Sequence, residues 1–370
     1  MLLETNKRVW IGFGLSVGLI GIFLLTVDVP RMLDSMISAN YWYMVPAIAL
    51  YFVSIWFRTL RWQSLLSDIK PIAVTRLYPV VVVGYMMNNI LPMRIGELAR
   101  SYYLAKREGV STASVFTTIF VERLFDALTL LFFVSLVSIF LPLNGILQGL
   151  SELSGLNVTF LATIMSLPFI VAFGILIVFS IYTDRVQSYT MTLSKPLPRR
   201  VGIMIKRVSN RFLIALIPLR KPFVILKVFF LSVPVWLFEV GLFMSIALSF
   251  GFQDLQDNYW VMVLGLILVT AIANIGSSIP AAPGGLGLFE IIARETLVLL
   301  PYLDIDRSLA GAYVIIVHSA LMLPIIFLGQ ALLIGQNVNL RSLLPSNHLD
   351  LAKPAQIQET DIVDDGDYRT

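Results

Sequence analysis

Long apolar runs separated by short polar stretches dominate the chain. Val9–Val27 is nineteen residues without a charge, near the length that spans a bilayer. Tyr41–Phe57, Thr112–Leu141, Val158–Tyr182, Val228–Phe250 and Ala310–Ile334 are further runs of that kind. They predict an all-α, polytopic transmembrane helical bundle with about six full spans. Two runs do not fit. Tyr78–Leu91 is fourteen residues, about 21 Å of helix against a hydrocarbon core of about 30 Å. It stops at Pro92 within Asn88–Arg100, NNILPMRIGELAR. Trp260–Ala273 leads into Asn274–Glu290, NIGSSIPAAPGGLGLFE. Pro280 and Pro283 remove backbone donors. Gly284, Gly285 and Gly287 allow geometries that other residues resist. A broken helix in lipid survives only where it is buried in protein or lines a wet cavity. A surface loop between two spans is the simpler alternative.

Composition narrows the class. The 370 residues are 57% hydrophobic and 14% charged, with a mean hydropathy of +0.83, which excludes a soluble globular domain. The absence of cysteine excludes disulfides and thiol chemistry. Two histidines, His318 and His348, speak against a histidine-rich metal site or a serine–histidine triad. No metal, cofactor or nucleic-acid partner is expected.

Charge distribution predicts orientation. Asp184–Lys221 carries nine Lys or Arg against one acid, so the positive-inside bias makes it cytoplasmic. Asn144–Asn157 and Gly251–Asn258 contain no Lys or Arg and fall outside. Lys7 and Arg8 precede the first run without a small-residue cleavage site, as in an uncleaved signal anchor. The expectation is a plasma-membrane domain over residues 1–340, with a cytoplasmic basic loop at 184–221. A disordered, acidic cytoplasmic tail follows at 341–370, so both termini are cytoplasmic. Parity then makes the two short runs re-entrant hairpins of opposite orientation, a possible inverted repeat of the transporter kind.

Four motifs resemble the membrane domain shared by lysylphosphatidylglycerol synthases/flippases and a broad family of stand-alone flippase-like proteins. They are Arg58–Trp62 (RTLRW), Asn88–Arg100, Val121–Asp126 (VERLFD) and Pro280–Glu290 (PAAPGGLGLFE), in order over about Arg58 to Gly335. The resemblance implies movement of an aminoacylated phospholipid between leaflets. Some relatives are linked to glycolipid or polyprenyl-glycan pathways, so the lipid stays open. The synthases add a soluble domain that uses aminoacyl-tRNA. This sequence ends soon after its last run, so synthase activity is not expected of it.

Charges in apolar surroundings are the candidate site. A charge at mid-bilayer costs roughly 2.5–3.5 kcal/mol on insertion scales, so it faces a cavity or a partner. Arg94 and Glu97, and Glu97 and Arg100, are i, i+3 and can pair along one helix face. Alternatively Arg94 or Arg100 holds a lipid phosphate. Glu122 and Asp126 share a face and repel, while Arg123 lies about 100° away. The two acids need a basic partner from elsewhere, with Arg58, Arg61 and Arg94 the candidates. Arg58 and Arg61 otherwise serve as snorkelling residues at a span end. Glu239 has no local partner, so it is protonated or faces water. Glu290 and Arg294 are spaced to pair, and His318 is a core histidine. Asn88, Asn89, Arg94, Gly284, Gly285 and Glu290 are expected to line one polar cavity, and Asn274 is a further substrate-binding candidate. Arg200, Arg207 and Arg211 form a stripe within about 40°, the pattern of an interfacial helix on an anionic leaflet.

The favoured function is lipid translocation, with an anionic phospholipid or lipid-linked glycan as partner. A membrane glycosyl- or acyltransferase, or a non-catalytic partner of such an enzyme, are the alternatives.

Overall fold

The computed structural model describes residues 2–91, 95–141, 151–152, 154–160, 171, 174, 222–255, 258–278, 283–300, 303–336, 338 and 343, without the side chains of residues 2–13 and 222. Ten helices carry the description that follows. They are α1 (Leu2–Leu25), α2 (Val29–Ser38), α3 (Met44–Leu66), α4 (Val74–Ile90), α5 (Ile95–Glu108) and α6 (Thr112–Phe140). After these come α7 (Pro222–Ser249), α8 (Tyr259–Gly276), α9 (Leu288–Val298) and α10 (Arg307–Gly335). The fold is a polytopic helical bundle.

Helix starts follow local chemistry. The carboxylate of Asp28 accepts from the Arg31 N–H and starts α2. The Asn258 side chain accepts from the Trp260 N–H at the start of α8. Asp306 accepts from the Ser308 and Leu309 N–H groups at the start of α10. These are side-chain caps on otherwise orphaned donors.

Among the described residues, five helices are long and apolar enough to cross a membrane, or up to six if α1 and α2, bent by 89°, count as one span. Large apolar side chains remain exposed along them, as with Leu323, Phe327 and Ile334 on one face of α10. In water such a surface is a liability; against lipid it is the expected exterior. Most of the Val158–Tyr182 run, the 184–221 loop and nearly all of the 341–370 tail lie outside the described residues.

The two short segments form antiparallel hairpins. The Tyr78–Leu91 run begins earlier than its hydrophobicity suggests, since α4 starts at Val74 and carries Pro79 internally. It packs along α5. A Cβ on Gly96 would run into the Asn88 backbone and lie 2.5 Å from the Gly84 carbonyl oxygen, so that crossing requires glycine. In the second hairpin Gly276 faces Ile292 and Gly265 faces Leu300 and Leu303. The eighteen residues of α8 reach about 27 Å. The eleven of α9 reach about 16 Å. Thus α8 is itself a candidate span, longer than its hydrophobic run implies, and α9 is not.

Helices α3 and α7 pack along each other, and α10 packs on α4 and α9. The main core threads all of these, with Ile55, Val81, Met86, Phe243, Leu266 and Tyr313 buried in it.

Candidate functional site: a polar cavity beside a buried charge network

The turn of the second hairpin meets the end of α4. Pro283–Gly285 forms a short turn against α4. Gly284 has φ +59°, and a Cβ there would lie 2.5 Å from Met322 Cε and 3.5 Å from Asn89 Cα. The left-handed backbone calls for glycine, while the Met322 side-chain end could shift to admit a Cβ. Pro92 and Arg94 lie outside the described residues.

At this junction is a cavity of about 130 Å³, whose polar lining includes Tyr51, Arg58, Tyr85, Asn89, Glu239 and Asn274. Ser277, Gly284 and His318 join them, with Phe289, Leu321 and Met322 closing the wall. A single water needs only about 10–15 Å³ of such room, so several waters or a small polar head fit. Among the described lining residues, Arg58 carries the guanidinium. Its Nη2 lies 2.5 Å from Glu239 Oε2, and its plane sits 4.7 Å from the Trp236 ring. Glu239 is therefore neither lone nor in want of a charge partner, contrary to the local sequence; its partner is 181 residues away.

A charge network adjoins the cavity. Arg61 Nη1 donates to Asp126 Oδ1 at 2.6 Å, and Arg61 Nη2 lies 3.2 Å from Glu122 Oε1. Arg100 Nη2 donates to Glu122 Oε2 at 3.1 Å. Arg123 reaches Glu122 at 3.0 Å, Asp126 at 3.2 Å and Glu97 at 3.6 Å. The Tyr85 hydroxyl oxygen accepts from Arg58 at 3.1 Å and from Arg123 at 2.9 Å, tying network to cavity. Among the described residues, four arginines (Arg58, Arg61, Arg100, Arg123) thus face four acids (Glu97, Glu122, Asp126, Glu239). Charges this deep are stable only when paired and hydrogen-bonded.

Several expectations change here. Arg58 and Arg61 do not snorkel: they are 4% and 0% exposed, because α3 continues inward-facing to Leu66. Arg100 turns to Glu122 on α6, across the hairpin, and Arg123 takes Glu97. Glu290 does not pair with Arg294. Its Oε2 accepts from the Gly287 N–H at 2.7 Å, and its Oε1 lies 2.7 Å from His318 Nδ1. Arg294 instead donates to Glu295 and to the Phe23 carbonyl. Gly285 takes φ +78° but stands clear of the cavity lining, its nearest contacts being ordinary ones with Ser277 and Phe289. Asn88 sits at the α4–α5 crossing, where its Oδ1 is buried without a hydrogen bond. Arg200, Arg207 and Arg211 lie outside the described residues. Tyr51 and Tyr85 were not singled out, since a tyrosine in an apolar run carries no sequence signal. Glu239 and His318 were visible as lone polar residues inside spans. Among the described residues no group of three His, Cys, Asp or Glu side chains is arranged to hold a metal ion.

The comparisons fit this architecture. The family model for the lysylphosphatidylglycerol synthase TM region matches residues 9–329. The chain belongs to that family. Among its relatives, a UPF0104 membrane protein of Methanothermobacter thermautotrophicus is 23% identical, over 79% of this chain and 85% of its own. Glycosyltransferase AglD of Haloferax volcanii is 24% identical, over 84% of this chain and 52% of its own. The family segment thus spans about half the length of that relative. A second UPF0104 membrane protein, from Methanocaldococcus jannaschii, is 29% identical over 32% of this chain and 36% of its own. No solved structure matches. Family membership and the apolar helices together make this a multi-pass membrane protein.

Proposed function

We propose that the protein moves a phospholipid or a lipid-linked headgroup between leaflets, as a flippase or scramblase-like transporter. The observation that carries this reading is the meeting of the Gly284 turn with Asn89 at a polar cavity inside an apolar bundle. Irregular backbone at membrane depth is tolerated where it is buried in protein or lines a water-filled cavity, and here it lines one. Two broken helices around one central site is the arrangement of transporters that alternate access. In this proposal the α4–α5 and α8–α9 hairpins are re-entrant from opposite faces. The headgroup enters between them, and Arg58 supplies a guanidinium toward its phosphate. Arg94, on the α4–α5 break, adds a second cation. The termini and the 184–221 loop are cytoplasmic, in a plasma membrane, and Arg200, Arg207 and Arg211 rest on its anionic leaflet.

A transferase is the second reading, favoured by the name of the AglD relative. It needs a carboxylate base. Glu122 and Asp126 are each held by guanidinium groups, which commits their oxygens. The test pairs two measurements on purified protein in vesicles. One follows movement of a fluorescent-headgroup phosphatidylglycerol between leaflets; the other follows transfer of sugar or acyl groups from a lipid-linked donor. Flux without transfer supports translocation, and transfer without flux refutes it. Neither activity, with a second protein co-purifying from membranes, identifies a partner subunit instead.

A further inference from the structure

The hydrogen bonds of His318 impose a proton count. Its Nδ1 lies 2.7 Å from Glu290 Oε1, and its Nε2 lies 3.0 Å from the Gly284 carbonyl oxygen. Both partners are acceptors, as an ionised carboxylate and a carbonyl only accept. The other carboxylate oxygen is occupied by the Gly287 N–H. The arrangement is satisfied only when the pair holds one proton more than a neutral imidazole and a carboxylate together. That proton sits between Nδ1 and Oε1, while Nε2–H donates to Gly284. The imidazole is 5% exposed and lies on the cavity wall, its ring 4.3 Å from that of Phe289.

Loss of that proton has a directed consequence. One N–H remains for two acceptors, and the carboxylate is the stronger. The proton stays on Nδ1, Nε2 is left bare, and its lone pair faces the Gly284 carbonyl. The bond that ties the 283–285 turn to α10 is then gone. This turn is the part of the second hairpin that abuts Asn89. Among the described residues, the other charged and titratable groups on the wall are Tyr51 and Arg58 from α3, Tyr85 from α4 and Glu239 from α7. Arg58 and Glu239 are engaged with each other, and α2, though packed on α10, adds nothing to the lining.

We propose that Glu290 and His318 form a proton-binding site whose occupancy latches the Gly284 turn and so gates the cavity. Its use rests on the translocation reading: a proton released to cavity water opens the site, and lipid movement becomes proton-coupled. Intramembrane His and carboxylate groups commonly serve as proton relays.

The chain's two histidines make the test direct. With His348→Gln, ¹⁵N-histidine NMR in nanodiscs sees His318 alone. As the pH is raised from about 5 to about 9, the proposal requires Nε2 to lose its proton. In Glu290→Gln, the amide N–H satisfies Nδ1, the Gly287 cap remains possible, and Nε2 keeps its proton throughout. A second measurement uses Ser277→Cys in this cysteine-free chain. Its labelling rate by a thiol reagent, relative to exposed Asp34→Cys, should rise roughly tenfold over that range, the equilibrium worth of one hydrogen bond. It should stay flat with Glu290→Gln. An Nε2 proton that never leaves, or the same pH response in Glu290→Gln, overturns the proposal. Vesicles without lipid flux beside a normal His318 titration remove the transport reading and leave the proton site standing. Flux beside an Nε2 that stays protonated does the reverse.

Discussion

Glu122 is the anion on which the charge network turns, and its removal gives a quantitative expectation. It is fully buried and lies within 3.0–3.2 Å of Arg61, Arg100 and Arg123. Glu122→Gln preserves shape and removes one negative charge, leaving four arginines against three acids. Arg61 and Arg123 keep Asp126, at 2.6 and 3.2 Å. Arg100 is the loser: it relies on Glu122 for its charge, and its guanidinium otherwise lies 3.7 Å from the Trp62 ring. Breaking a buried pair by removing one partner costs about 3–5 kcal/mol. Arg100→Met alone should cost a similar amount, by stranding part of Glu122's charge. The double variant Arg100→Met, Glu122→Gln restores balance at three against three. It should therefore be more stable than the sum of the single losses by at least about 1.5 kcal/mol, within the range seen for contacting residues. Denaturing-detergent titration of the purified protein, followed by tryptophan fluorescence, measures all four corners of the cycle. Additivity within about 0.5 kcal/mol would show that the two groups do not act as a buried pair, and the network as described would be wrong.

Other outcomes follow from the same geometry. Gly284→Leu should abolish lipid flux with expression retained, since a branched side chain at φ +59° must displace Met322 and project against Asn89; Gly285→Ala, with only ordinary contacts, should cost about 1–2 kcal/mol of backbone strain and keep measurable flux. Arg58→Gln and Arg94→Gln should each slow movement of an anionic lipid more than Arg76→Gln, whose side chain is 67% exposed; equal effects in a vesicle assay would detach the cavity from headgroup recognition. A cysteine at Ser188 should react with an impermeant thiol reagent only in opened cells; labelling in intact cells would reverse the orientation.

The hydrophobic runs foretold most of the bundle, because span length is a property of local sequence. Proline and glycine likewise marked both breaks. Partners were harder. Glu122 and Asp126 advertised a need for cations from elsewhere by sharing one helix face, and Arg61 answers it. Yet Arg58 and Arg61 looked like the end of a span, since a helix that turns a polar face inward has the same local pattern as one leaving the membrane. The i, i+4 spacing of Glu290 and Arg294 suggested a local pair. The tighter turn at Gly287 and the approach of His318, 28 residues away, claimed the carboxylate instead. The Arg58–Glu239 contact joins α3 to α7 and has no local signature at all. Helix existence is therefore legible from periodicity, while tertiary charge pairing is set by how helices cross.

The central claim, that lipid passes by way of this cavity, is open to a direct measurement. Ser277→Cys places one thiol on the cavity wall of a chain that has no other. Flux of fluorescent-headgroup phosphatidylglycerol is recorded in vesicles before modification with a bulky charged methanethiosulfonate, after it, and again after reduction. Asp34→Cys, exposed and away from the cavity, serves as the control. Flux should stop on modification at 277, return on reduction, and be untouched by modification at 34. Full modification at 277 with undiminished flux would contradict it.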